Sequence, residues 1–367
     1  MRTWRVLLSL VPLAAAASLA AQPPRPAPVR VDLAPGIFLF QNAPYGDVGL
    51  DGNSVVIVSD DGVLVFDSNG TPDGARAVLA EIRKITAQPV RFLVNSHWHW
   101  DHWYGAEVYR EAFPGLTVIT HEASRRLMAG PAIAFNQPGL DTQLPGHIRA
   151  VEQQLARARA ATPPSADTAQ LAAHVAHDTW FLAQKRNFRP TLANVTFTDS
   201  LTIHLGQREI RLLHHDRAIT PGDTYLYLPA ERMVILGDLL INPITFGLFC
   251  YPAGWIRTLE AIDALDAAVL VPGHGAPMRD EGLLHATLEL LKRERDLALD
   301  AKRVGRTWEQ ARDGILADSR VLALRTTITG GDAARNPAFG LYLVEWFVKR
   351  VYQEADGRLD DSIPATP

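Results

Sequence analysis

The chain has 367 residues, enough for one large α/β domain or two smaller ones with a substantial core. Its 47% hydrophobic and 21% charged residues are those of an ordinary soluble globule, and a formal net charge of -4 leaves no basic footprint for nucleic acid or an anionic bilayer. The single cysteine, Cys250, excludes an internal disulfide, and an inert buried thiol is its expected state.

Met1 to Arg5 is short and basic, Val6 to Leu19 is apolar, and Ser18-Leu19-Ala20 supplies the small residues a signal peptidase requires. The apolar run is interrupted by Pro12 and falls short of the roughly 20 residues of a spanning helix. Residues 1–20 are therefore expected to be a signal peptide cleaved near Ala20, leaving the product free in the periplasm or medium. A Pro-rich linker (21–28) follows. Val29 to Val31, Ile37 to Gln41, Ser54 to Ser59 and Gly62 to Asp67 read as strands, with a hairpin at Asp60-Asp61-Gly62. Thr71 to Ile85 carries apolar residues at helical spacing, and Val90 to Val94 is a bare apolar run, hence a buried strand. Strand pairs followed by helix and strand indicate an α/β sandwich.

Leu116 to Thr120 reads as one more strand. Between His121 and about residue 190 the composition turns to Ala, Gln and Arg, with prolines at 131, 138, 145, 163 and 164, which predicts inserted helices. Strand signals return at Val195 to Phe197, Leu201 to Leu205, Ile210 to His214, Thr224 to Leu228, Met233 to Leu236 and Val269 to Val271. The domain is thus expected over 29–280, followed by a helical extension (281–367) ending in Phe339 to Glu354.

The most informative segment is Asn95-Ser96-His97-Trp98-His99-Trp100-Asp101-His102. In an extended segment alternate side chains share a face, so His97 and His99 converge on one metal ion, while Asp101 and His102 straddle the turn into a helix and reach a second. Two later apolar strands end in Gly237-Asp238 and Pro272-Gly273-His274-Gly275. Each alone reads as a turn; together they offer the same centre a bridging carboxylate and another imidazole.

In the order HWHWDH, TPGD (Thr220 to Asp223), LGD (Asp238) and PGHG (His274), the chain resembles the metallo-β-lactamase-fold hydrolases over roughly Val29 to Pro277. The resemblance implies a four-layer αβ/βα sandwich with a dinuclear zinc site at one edge. It makes His97 and His99 ligands of the first metal, Asp101, His102 and His274 ligands of the second, and Asp238 the bridge. One position departs from the family pattern: Ile219 stands where the third histidine of the first site belongs. The first site is weakened as a result, and the one secure ion belongs at Asp101, His102, Asp238 and His274. His214 or His215 is an alternative source of the missing ligand, though a pair at a strand end, one inside and one outside, is the plainer reading.

A zinc-bound water ionises near pH 7 rather than at 15.7, so hydroxide exists at neutral pH to attack an ester, lactone, thioester or amide, β-lactams among them. Asp101 is the candidate general base, and Asp67 a candidate acceptor behind a ligand imidazole. Trp98, Trp100, Trp103, Phe246 and Tyr251 are candidate walls of a pocket for a small-molecule substrate. Cys250 and His121 stand near enough in sequence to be weighed for the same pocket, with burial and strand capping as their ordinary roles. Two other readings stay open: a catalytically silent metal- or ligand-binding protein, and an iron-dependent redox variant using His97, His99 and Asp238.

Overall fold

The computed structural model describes residues 27–41, 51–163 and 165–363; the expected signal peptide and most of the linker lie outside them. Strands β1 (Val29–Ala34), β2 (Ile37–Gln41), β3 (Ser54–Ser59) and β4 (Gly62–Phe66) form an antiparallel meander. It continues through parallel β5 (Val90–Val94), β6 (Thr117–His121) and β7 (Val195–Phe197) into a seven-stranded sheet ordered β1 to β7. A second, five-stranded sheet runs β12-β11-β10-β9-β8, from β8 (Ser200–Leu205), β9 (Arg208–Leu213), β10 (Tyr225–Leu228), β11 (Met233–Gly237) and β12 (Val269–Pro272). Its strands are antiparallel except for the parallel pair β11 and β12.

Period-two alternation divides each strand between two cores. Ile37, Leu39, Leu64 and Phe66 point from the first sheet to meet Leu226, Leu228, Met233 and Ile235 of the second. The intervening Phe38, Phe40, Val63 and Val65 face outward and pack beneath α1 (Pro72–Ile85) and α3 (Ala106–Ala112). Tyr225, Val234 and Leu236 leave the second sheet on its other face, under α8 (Pro252–Asp263) and α9 (Gly282–Arg303). Helix, sheet, sheet, helix is the four-layer αβ/βα sandwich. The C-terminal helices α10 (Trp308–Leu316), α11 (Ser319–Thr329), α12 (Asn336–Ala338) and α13 (Trp346–Ala355) follow. Val321, Phe347 and Val351 of this tail join Trp255 and Leu259 of α8 in one apolar cluster, so the tail shares its core with the second sheet.

Local chemistry begins and ends these elements. Thr71 caps α1 by accepting from the Gly74 amide, Pro72 opens the helix, and Arg83 and Lys84 close it at the negative end of its dipole. Between β6 and β7 the chain leaves the sandwich for α4 (Glu122–Met128), α5 (Pro131–Pro138), a π-helical turn (Gly139–Gln143), α6 (Leu144–Ala160) and α7 (Thr168–Asn187). Among the described residues, no helix is long and apolar enough to cross a membrane.

Candidate metal centre

β4 and β5 are parallel neighbours in the first sheet, as are β11 and β12 in the second, so each pair has its carboxyl ends at one edge. Asp67 follows β4; His97, His99 and the short α2 (Trp100–Trp103) follow β5; Asp238 follows β11; His274 follows β12. The two sheets thus deliver Asp67, His97, His99, Asp101, His102, Asp238 and His274 from distant segments to one place. Gly237, at φ 54°, turns the chain sharply before Asp238, a conformation suited to glycine. Gly273 is required by space: a β-carbon there would lie 2.2 Å from Asp238 Oδ1.

Asp101 Oδ2, His102 Nε2, Asp238 Oδ1 and His274 Nε2 converge. Asp101 lies 3.4 Å from His102 and 3.0 Å from His274, and Asp238 Oδ1 lies 3.3 Å from His102 and 3.4 Å from His274. Ligand bonds of about 2.0–2.2 Å at tetrahedral angles set neighbouring donors roughly 3.3–3.6 Å apart. Three of these spacings therefore suit one small divalent cation, and the fourth is slightly short. His102 Nε2 and Asp238 Oδ1 are also buried and accept or donate no hydrogen bond, a costly arrangement unless a cation meets their lone pairs. By donor type, spacing and orphaned polarity, the residues fit zinc.

The other flank is less regular. His97 Nε2 and His99 Nδ1 are 2.7 Å apart, while Asp238 Oδ2 stands 3.6 Å from the first and 4.0 Å from the second. Ile219 is buried in the apolar cluster beneath the C-terminal helices and contributes no donor. His214 does not replace it: its ring stacks on His121 and its Nδ1 bonds the Asp223 carbonyl oxygen. His215 is exposed.

Behind these side chains stands Asp67, fully buried. It accepts from the Ser96 amide at 2.7 Å and the Ser96 hydroxyl at 2.8 Å, and its Oδ2 is 2.8 Å from His102 Nδ1. A carboxylate at Nδ1 keeps the proton there and turns the Nε2 lone pair toward the centre. The strand reading carried β4 through Asp67; instead β4 stops at Phe66 and Asp67 adopts φ 62°. A non-glycine residue in the left-handed region carries strain, here alongside three polar contacts.

Charge follows the same plan. Burial works against the Asp101 and Asp238 carboxylates, yet His102 and His274 hold both well below the usual carboxylate range. Burial would lower His274, but Asp238 and Asp101 outweigh it and push the imidazole up to about 10. Burial, with the neighbouring His102, keeps His97 well below the ordinary imidazole value. Paired carboxylates so deeply enclosed demand positive charge between them.

Among the aromatic candidates, Trp98 lies with its ring centroid 4.5 Å from that of His99, and Trp100 packs against Phe181. Trp103 is core, its indole N–H donating to the Trp98 carbonyl oxygen. Phe246 stacks on Tyr342, and the Tyr251 hydroxyl donates to the Asp360 carbonyl oxygen. In the loop after Asp238 it is Phe249 that reaches the candidate centre, 5.6 Å from His99 between ring centroids. Cys250 is buried in the C-terminal apolar cluster, and burial pushes its thiol up. His121 caps α4, its Nδ1 accepting from the Ala123 amide.

Nothing in the sequence marks Lys185 of α7, one cation in a largely polar helix. Its ammonium is buried without a hydrogen-bond partner and lies 3.3 Å from the Trp100 ring centroid, and burial lowers its pKa well below the ordinary lysine value. Asp223 is buried too, with its carboxylate accepting from the amide and hydroxyl of Thr220, and burial pushes it up to about 7.

The family model described as the metallo-beta-lactamase superfamily matches residues 47–274, more than half of the chain. The chain belongs to that superfamily. A linear primary-alkylsulfatase from a Pseudomonas species is 25% identical over 259 residues, covering 65% of this chain and 44% of that enzyme. This superfamily member thus spans less than half the length of that relative. Among solved structures, a metallo-β-lactamase from Pontibacter korlensis has a TM-score of 0.52 at 16% identity, over 72% of this chain and 99% of its own. The mono-zinc form of the metallo-β-lactamase FIM-1 from Pseudomonas aeruginosa has a TM-score of 0.51 at 14% identity, over 74% of this chain and 98% of its own. These likenesses are of the fold.

Proposed function

We propose that this superfamily member is a metal-dependent hydrolase that opens an ester, lactone, thioester, amide or sulfate ester bond in a substrate with an apolar portion. One observation carries the reading: Asp101, His102, Asp238 and His274 set carboxylate oxygens 3.0–3.4 Å from imidazole nitrogens, with two of their polar atoms otherwise unmet. A divalent ion bound there, taken here as zinc, supplies a Lewis acid and water ionisable near neutral pH.

The chain's own residues do the rest. Asp67 holds the His102 proton on Nδ1 and so fixes that ring as a donor through Nε2. Asp101 is ionised at neutral pH and accepts the proton of the attacking water; a carboxylate held low is a weak base, sufficient only for an already acidified water. Phe249, half-buried beside His99 and backed by the buried Trp98, would supply an apolar wall for an acyl or alkyl chain. The alkylsulfatase relative motivates the sulfate ester within this range, and the apolar wall suits its alkyl chain. Delivery to the periplasm or medium, inferred from Met1 to Ala20, makes the substrate one met outside the cytoplasm.

The test is metal analysis of the purified protein combined with a panel of aryl esters, lactones, thioesters, a chromogenic β-lactam and linear alkyl sulfates. About one tightly held zinc per chain at this centre, with turnover abolished by chelation and restored by zinc, is the expected result. A stable protein without metal or turnover favours the silent binder, and iron in place of zinc favours the redox variant. Ile219→His, measured beside the wild type, is expected to raise metal occupancy of the first site. It should lower Tm, because a polar ring enters an apolar cluster at about 1–3 kcal/mol. No gain in bound metal would contradict the assignment of Ile219.

A further inference from the structure

The inserted hairpin of α6 and α7 carries a second constellation, built from other residues. His147 lies in the first turn of α6. His174 and Asp178 are four residues apart on α7 and so share one helical face. His147 Nε2 is 3.3 Å from His174 Nε2 and 3.6 Å from Asp178 Oδ2, and His174 Nε2 is 3.2 Å from the same oxygen. These three separations are those of one face of a tetrahedron around an ion with bonds of about 2.0–2.2 Å. The other carboxylate oxygen, Asp178 Oδ1, is 3.2 Å from His177 Nδ1, which orients the carboxylate from behind as an outer-shell partner does. The Asp178 side chain is only 4% exposed, whereas His147 is 46% exposed, so the fourth direction opens toward solvent.

We propose that His147, His174 and Asp178 form a separate site for a divalent transition metal, zinc by donor type, that clamps α6 to α7. Two imidazoles and a carboxylate with one open position match the composition of three-ligand zinc sites. The consequence runs along α7. Its buried residues, Asp178, Phe181 and Lys185, continue the face that begins at His174, and Phe181 and Lys185 pack on Trp100 beside the ligand Asp101. An ion at one end of this stripe therefore steadies the helix that packs on Trp100, next in the chain to Asp101. The inference uses no residue of the candidate centre around Asp101 and is independent of the proposed hydrolysis.

The full-length protein is stripped with chelator, reloaded with zinc ions, and its metal counted after removal of excess. His174→Ala and Asp178→Asn are each expected to hold one zinc fewer per chain than the wild type and to lose zinc-dependent gain in Tm at this site, with circular dichroism unchanged at low temperature. The complementary variant His102→Ala, which damages the other centre, should still bind one zinc, and replacing His147 as well should abolish it. Cobalt loaded into His102→Ala should give the visible absorption of a tetrahedral ion. Equal metal counts in wild type, His174→Ala and Asp178→Asn would overturn the proposal, as would a His102→Ala protein that binds none. If a single variant unfolds, the count in the other decides.

Discussion

Asp67 is fully buried behind the proposed ligand set and positions part of it. It joins the Ser96 amide, the Ser96 hydroxyl and His102 in a single buried carboxylate, at the cost of a left-handed backbone. Asp67→Ala frees His102 to rotate and to change tautomer. Zinc affinity should fall about 10–100-fold, measured by competition with a chromophoric chelator, while far-UV circular dichroism stays native. Lys185 makes the opposite case: a buried ammonium with aromatic neighbours but no hydrogen-bond acceptor. Lys185→Met keeps the length and the packing on Trp100, so thermal denaturation should show a gain on the order of 1–3 kcal/mol.

At the scale of elements, α9 carries a similar conflict. Glu294 is fully buried among apolar neighbours, neither carboxylate oxygen has a partner, and burial raises its pKa well above 4.5. The folded state then holds the proton more tightly than the unfolded chain. Its contribution is complete below about pH 4.5 and is lost as the pH rises toward the folded value. Glu294→Gln cannot ionise, so its Tm relative to wild type should climb steadily as the pH is raised above about 4.5. A difference that is flat with pH would show that Glu294 titrates normally. The insertion follows another logic: α7 buries only Asp178, Phe181 and Lys185, and through them a largely polar helix is fastened over Trp100.

For the whole molecule, the centre joins the two sheets. Asp101 and His102 follow a strand of the first; Asp238 and His274 follow strands of the second. A cation bound by all four ties the halves together and binds the folded state alone. Zinc at 100 times its dissociation constant should therefore stabilise folding by about 2.7 kcal/mol, seen as a rise in Tm that chelator reverses. The irregular spacing around His97 and His99 and the missing donor at Ile219 predict that any ion held there leaves before the one at Asp101, His102, Asp238 and His274 in a graded chelator titration.

Read alone, the amino-acid pattern determined the strands, because short runs rich in apolar and β-branched residues between turn residues mark them, and β3, β5 and β7 begin and end where those runs do. It also marked the candidate ligands His97, His99, Asp101 and His102, since they share one short segment. Tertiary structure alone decided what crosses long distances in the chain. Asp67, legible as an acceptor for some imidazole, is set against His102 in particular across 35 residues, Phe249 rather than Tyr251 approaches His99, and His147 meets Asp178 from another helix. The physical reason is that periodicity encodes burial along one element, whereas a side chain's partner across the core depends on where two elements cross. No local pattern of residues records that crossing.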